Sequence, residues 1–426
     1  MRNIVIILIS ALLVLPVTDI FAQKEKKKKK KQPVVEVNVN TNANKEPQKT
    51  DTPVLNSPQV VDNTAVVEAK GVGLTREDAL QDAYRNAVSQ AVGVSVSSET
   101  KVENFIVLQD AISTRSQGYI TKYDVIKEIP FPERFEIYIK ATVSLSPIKA
   151  DMGILAKQIG GVRFLVMYDD RNVPAEEIVN YDYAVERINE YLSGKGYRYI
   201  EKKRFDELKK EARGIGNEIA PTEEKYIQHL GMMSDAQFII FISKIHMSTR
   251  SEDFDTKVAA KYLIEIKSYD NCTAEGLGTT TMESGWTNSR DKTGMLSGIQ
   301  EAVKNDMSKL LGTFMRYIGN WVNNGTPFEL RFYQVGTYRD FRTLKTKLQE
   351  DSNFGGEMEI VSIDNYTKLN CTFKNKPDQL ADKILDIADA IPELKAKVLD
   401  IKLIYGRQIN FAPQAVTVPE LQITKP

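Results

Sequence analysis

One uncharged apolar stretch, Ile4 to Leu15, stands between Arg2 and the helix-breaking Pro16, and no later segment of the chain repeats it. It is short for a hydrocarbon core and has the form of a secretory signal, with Phe21-Ala22-Gln23 offering a small residue to a signal peptidase. Cleavage is expected after Ala22, so that residues 1–22 are a signal peptide and everything beyond must fold in water. The run from Lys24 to Lys31, broken only by Glu25, pulls the other way, because positive charge behind an apolar segment tends to stay in the cytoplasm. Retention of the segment as an anchor is the alternative. Cys272 and Cys371 are the only cysteines and lie far from the junction, so a lipoprotein is not expected. The expected compartment is the periplasm or the outer-membrane surface.

Residues 23–60 are rich in Lys, Pro, Asn, Thr, Gln and Val without a helical or strand period, a composition that cannot bury enough apolar surface to offset its ordering entropy. They read as a tether whose Lys24 to Lys31 run offers peripheral contact with a membrane or cell wall. The chain's 57 basic and 57 acidic residues balance, which argues against a polyanionic partner and thus against nucleic acid. With 426 residues, 42% of them hydrophobic, the chain exceeds what one core usually serves.

Three folded units are expected, of α+β and α/β class. In the first, residues 61–150, a strand from Thr64 to Ala69 closes on Gly71 and Gly73. A helix follows whose Thr75 and Asp78 form a capping box and whose Ala79, Ala83, Ala87 and Ala91 recur at i+4, a face that sits close on a sheet. Gly93 should end it; a helix around Phe105 to Ser116 and strands over Tyr119 to Ile129 and Phe135 to Leu145 complete the unit. The second, residues 151–326, opens with the buried-strand pattern Val162 to Tyr168 and alternates helix (Tyr181 to Leu192), strand (Tyr197 to Ile200), helix (Arg204 to Ala212) and strand (Ala236 to Lys244). A hairpin (Val258 to Tyr269, Thr273 to Glu283) and a long amphipathic helix (Met295 to Val322) follow, on a mixed sheet. Asn323-Asn324-Gly325-Thr326-Pro327 marks the boundary to the third unit, residues 327–412. Its order of strand, helix, strand, strand, helix, strand (Glu329 to Val335 first, Val398 to Ile404 last) is the ferredoxin-like βαββαβ pattern. Residues 413–426 read as a flexible tail.

Gly71, Gly73, the four alanines, Val92, Gly93, Asp110, Ile112, Gly118, Tyr119 and Ile120 together resemble the N-terminal domain of flagellar assembly protein T. The second unit is more distantly similar to the α/β module shared by that protein, the TolB N-terminal domain and curli-secretion lipoproteins, through Phe164 to Tyr168, Ser234 to Phe238 and the long closing helix. The resemblance implies non-enzymatic modules of secreted or outer-membrane-associated assemblies. It brings no catalytic residue to any position here, and the ferredoxin-like unit departs from the flagellar protein, so a flagellar ring role is not implied.

Chemistry has little raw material in the sequence. His229 and His246 are the only histidines, and no Cys/His spacing suits zinc. Gly214-Ile215-Gly216-Asn217 lacks the lysine of a phosphate loop, and no cofactor is expected. The most site-like spot is Asp169-Asp170-Arg171-Asn172, leaving the carboxyl end of the first buried strand, where open α/β sheets collect ligands. Asp and Asn are also ordinary turn formers. Arg331-Phe332-Tyr333 and Tyr338-Arg339-Asp340-Phe341-Arg342 offer an aromatic and basic face, or a solvated one. The expected function is a scaffold with envelope proteins as partners, or a homo-oligomer or ring-like complex. The alternative is a binding module for a cell-wall polymer or small ligand at Asp169.

Overall fold

The computed structural model describes residues 53–96, 105–158, 162–215, 227, 230–251 and 258–418. The expected signal peptide, most of the tether, His229 and part of the Gly214 to Asn217 loop lie outside these residues. Three sheets organise the described chain, in keeping with mixed α+β and α/β architecture.

The first sheet has the order β1-β2-β4-β3, from β1 (Gln59–Val61), β2 (Thr64–Gly73), β3 (Ile120–Phe131) and β4 (Arg134–Ser144), with all pairings antiparallel. Helix α1 (Arg76–Val96) lies across β2, and its four spaced alanines are fully buried. Contact is so close that a Cβ on Gly71 would stand 2.0 Å from the Ala79 carbonyl, and one on Gly73 2.3 Å from the Ala79 nitrogen. The capping box forms as read: the Asp78 backbone N–H donates to Thr75 Oγ1 (3.1 Å) and the Thr75 N–H to Asp78 Oδ2 (3.2 Å). Gly93, however, does not stop the helix, which runs on to Val96; an isolated glycine inside a packed helix is tolerated at modest cost. Helix α2 (Phe105–Ser113) is shorter than read, and α3 (Leu145–Gln158) follows β4 directly.

The second sheet runs β5-β6-β7-β8, with β5 (Phe164–Met167) parallel to β6 (Phe238–Ser251), and β7 (Val258–Asp270) and β8 (Glu275–Glu283) completing it antiparallel. The strand read over Tyr197 to Ile200 is reduced to a single parallel bridge from Tyr199 to Phe164, between α4 (Ile178–Gly194) and α5 (Lys202–Ile215). Alternation along β5 and β6 sends Phe164, Val166, Phe238 and Ile240 to one face and Leu165, Met167, Ile239 and Phe241 to the other. The first face is covered by α4 and by α6 (Lys292–Asn324), a 33-residue helix capped by Asp291, whose side chain accepts from the Gly294 N–H. No core divides at residue 150: side chains of α1, α2, α4, α6 and both sheets form one apolar cluster. Gly319 lets α6 pass under α2, since a Cβ there would stand 3.1 Å from the Ala111 carbonyl, and Arg115 Nη1 donates to the Gly319 carbonyl (3.3 Å).

The third sheet departs from the expected four strands. Strand β9 (Thr326–Tyr333), helix α7 (Tyr338–Leu348), β10 (Phe354–Ile363), β11 (Tyr366–Phe373) and helix α8 (Pro377–Asp389) follow as read. The last expected strand, β12 (Leu399–Tyr405), lies one place further out, because β13 (Gln408–Pro413) inserts between it and β9 to give β10-β11-β9-β13-β12. β13 pairs antiparallel with β12 and parallel with β9, so the ferredoxin-like order carries a fifth strand. Residues 408–412, two of them polar and without a strand assigned from the sequence, are buried because they lie inside the sheet.

Candidate functional site

The sheet order puts Asp169 just beyond β5, with the Tyr199 bridge on one side and β6 on the other, so the strand order reverses at this point, as ligand crevices of α/β sheets require. Its carboxylate is nevertheless fully engaged. Asp169 is only 3% exposed, and Arg171 grips it in a fork, Nε to Oδ1 at 2.8 Å and Nη2 to Oδ2 at 2.6 Å. The Arg171 backbone N–H adds a bond to Oδ1 (3.1 Å) and Asn172 Nδ2 one to Oδ2 (3.2 Å). Asp170 diverges from its neighbour, as adjacent residues should, and faces the buried Lys209 Nζ at 3.5 Å.

Lys209 is the hub of a wider charge network. It lies 3.2 Å from Asp206 and sits over the rings of Phe205 and Tyr168. The Tyr168 hydroxyl donates to Asp182 (2.8 Å), which pairs with Lys202 (3.5 Å), and Lys202 closes the loop on Asp206 (2.8 Å). Burial opposes ionisation of Asp206, yet hydrogen bonds from Lys202 and Lys209 outweigh it and hold the carboxyl below its usual range. Cation binding or general-base action by Asp169 would first have to displace Arg171.

A second buried ion pair, unread in the sequence, joins distant parts of the chain. Arg407, in the Gly406-Arg407 turn between β12 and β13, donates from Nη1 and Nη2 to Asp270 Oδ2 (2.5 Å) and Oδ1 (2.6 Å) at the end of β7. Asp270 is fully buried and Arg407 5% exposed, and the guanidinium lies over Trp321 and Phe238. Burial alone would weaken the arginine's charge, but Asp270 more than compensates and raises its pKa. Tyr317 also donates to Asp270 Oδ2 (2.7 Å), and the Cys272 backbone N–H to Oδ1 (3.0 Å). Beside the arginine, the Tyr405 hydroxyl donates to the Gly231 carbonyl (2.9 Å) and accepts from Asn271 Nδ2 (2.8 Å). Gly406 has φ +53°, and a Cβ there would stand 2.6 Å from Cys272 Sγ. The hairpin tip thus plugs the third unit into the second.

Both cysteines are free and buried, and desolvation pushes the Cys272 thiol up to about 12, which leaves it protonated and unreactive at neutral pH. His246 Nδ1 lies 3.5 Å from Glu265, while the Ser243 hydroxyl donates to the Glu265 main-chain carbonyl (3.0 Å). The aromatic and basic face does not assemble. Phe332 and Phe341 point inward and pack on each other at 4.9 Å between ring centroids, because both fall on core-facing positions of β9 and α7; Arg331 pairs with Glu329. Among the described residues no cluster of His, Cys, Asp and Glu could hold a metal ion, and no helix is long and apolar enough to cross a membrane.

Neither a family model nor a curated protein matches the chain. Among solved structures, the crystal structure of lipoprotein GNA1162 from Neisseria meningitidis aligns at 15% identity over 35% of this chain and 99% of its own, with a TM-score of 0.22. That score does not establish a shared fold, and no family match supports the resemblance to flagellar assembly protein T.

Proposed function

We propose that this protein is a non-enzymatic, exported cell-envelope scaffold or assembly protein that acts through protein–protein contacts. The observation that carries the reading is the Arg407–Asp270 plug, which ties the third sheet to the second across 137 positions of sequence. A scaffold must hold its binding surfaces in a fixed relation, and a buried two-pronged ion pair is costly to break. The shared core of the first two units supports the same reading. The apolar segment Ile4 to Leu15 supports export, and partners are envelope proteins or further copies of this chain in a ring-like complex. Lys24 to Lys31 supply a peripheral contact with membrane or cell wall.

The alternative, a cell-wall polymer or small ligand at Asp169, is weakened by the four donors from Arg171 and Asn172 that already occupy that carboxylate. Cell fractionation followed by crosslinking from the N-terminus of the exported protein tests the proposal. An envelope-located protein crosslinked into a larger assembly is expected. Intact, monomeric protein in the cytosol, still bearing Met1 to Ala22, would overturn it, and cosedimentation with purified cell-wall sacculi would favour the alternative.

A further inference from the structure

The third sheet ends on β12, and no described strand pairs with its outer edge. On β12, Leu399, Ile401 and Ile404 fall opposite Pro413, Phe411 and Ile409, every second residue of β13. The single register shift, at Lys402, therefore leaves the three on one face at even spacing. Leu399 and Ile401 are half-buried against the core of the third unit, and Ile404 is 41% exposed. The Ile401 N–H is held by the adjacent Asp400 Oδ1 (2.9 Å), a bond that the carbonyl of an incoming strand can replace. Asp400 and Lys402 flank Ile401 with opposite charges.

This order is self-complementary. With a second copy turned about a two-fold axis through Ile401 and the strands antiparallel, Leu399 meets Ile404, Ile401 meets its own counterpart and Ile404 meets Leu399. Asp400 of each copy then comes beside the bulged Lys402 of the other, so that unlike charges and apolar side chains are matched along the whole edge. The opposite edge of the sheet fails the same operation. Its strand, β10, shifts register twice against β11, and an axis through Met358 would set Glu357 against Glu359 of the other copy, like charge on like.

We propose that β12 is a self-association edge, on which two copies of this chain pair antiparallel about an axis at Ile401 and join their third sheets into one. The partner is thus a second copy. The inference deepens the scaffold reading by naming one of its partners, and rests on that reading only for the compartment.

Sedimentation equilibrium of the protein as isolated from cells tests it, and a reversible dimer is expected. Asp400→Lys and Lys402→Asp should each weaken the dimer about tenfold, because the axis repeats every like pair twice. The Asp400→Lys/Lys402→Asp double variant should recover most of that loss, a pattern that a merely structural role for the two charges would not produce. Should the charge variants fail to fold, Ile401→Cys keeps the test open. Under mild oxidation it should form a disulfide between copies, since β-carbons facing across the axis stand about 5 Å apart, whereas Cys272 and Cys371 are buried. Val361→Cys, on β10 and 44% exposed, should not. A parent that stays monomeric up to about 1 mM, a dimer indifferent to the folded single-charge variants, or a disulfide through Val361→Cys in place of Ile401→Cys would overturn the proposal. A monomer would leave crosslinking to other envelope proteins standing, whereas a cytosolic protein that still pairs through β12 would sink only the export reading.

Discussion

Two aspartate–arginine forks sit in this molecule, and they do different work. Arg171 grips Asp169 from two positions away, and about a third of its side chain still meets solvent. Arg407 grips Asp270 from 137 positions away and is almost wholly enclosed, with aromatic rings against its face. The first closes a turn that backbone and Asn172 bonds already define. The second holds two sheets in one relation, and its loss strands a carboxylate where water cannot reach. Identical chemistry therefore has consequences set by burial and by sequence separation.

On that contrast, Arg407→Ala carries the largest penalty, about 3–5 kcal/mol by chemical denaturation, because the fully buried Asp270 loses its cationic partner and keeps only the Tyr317 hydroxyl and the Cys272 N–H. Arg407→Lys should recover only part of it, since an ammonium cannot make the two-pronged contact. Gly406→Ala follows, at about 1–3 kcal/mol, with its Cβ forced toward Cys272 Sγ at a positive φ. Arg171→Ala should cost less, about 1–2 kcal/mol, because removing this partly exposed side chain lets water reach the Asp169 carboxylate, which also keeps its backbone and Asn172 donors. An equal loss at Arg171 and Arg407 would break the comparison. The smallest effect concerns pH. Asp206 has a folded pKa below its unfolded value, so its stabilising contribution is present above the ordinary carboxylate range near pH 4 and is lost as pH falls through the folded value. Asp206→Asn should therefore be less stable than the parent at neutral pH, with the gap closing on acidification, as thermal melts across pH would record.

Much of this architecture was legible in the residues because it is local. The i+4 alanines, the Thr75 and Asp78 cap and the run Val162 to Tyr168 each act within a few turns or one strand, and each appears where its period placed it. The Asp169 turn was found for the same reason, but its state was not, because the occupancy of a carboxylate depends on how a neighbouring side chain folds back. Phe332 and Phe341 show the converse: beside arginines they read as surface, whereas strand and helix phase turns them inward. Arg407 and Asp270 left no paired signal at all. A two-residue Gly406-Arg407 loop between alternating runs did hint at a hairpin, which would have revealed β13.

The position of β13 bears on how the protein is made. Among the described residues it is the latest strand in chain order, yet it fills an inner place between β9 and β12. A polypeptide emerging amino end first presents β9 with a bare hydrogen-bonding edge until residue 413 has left the ribosome. During that interval the edge is open to wrong partners, and the arginine that fastens the sheet to its neighbour arrives with the same hairpin. Closing the sheet and docking it are thus one late event in the life of each new chain.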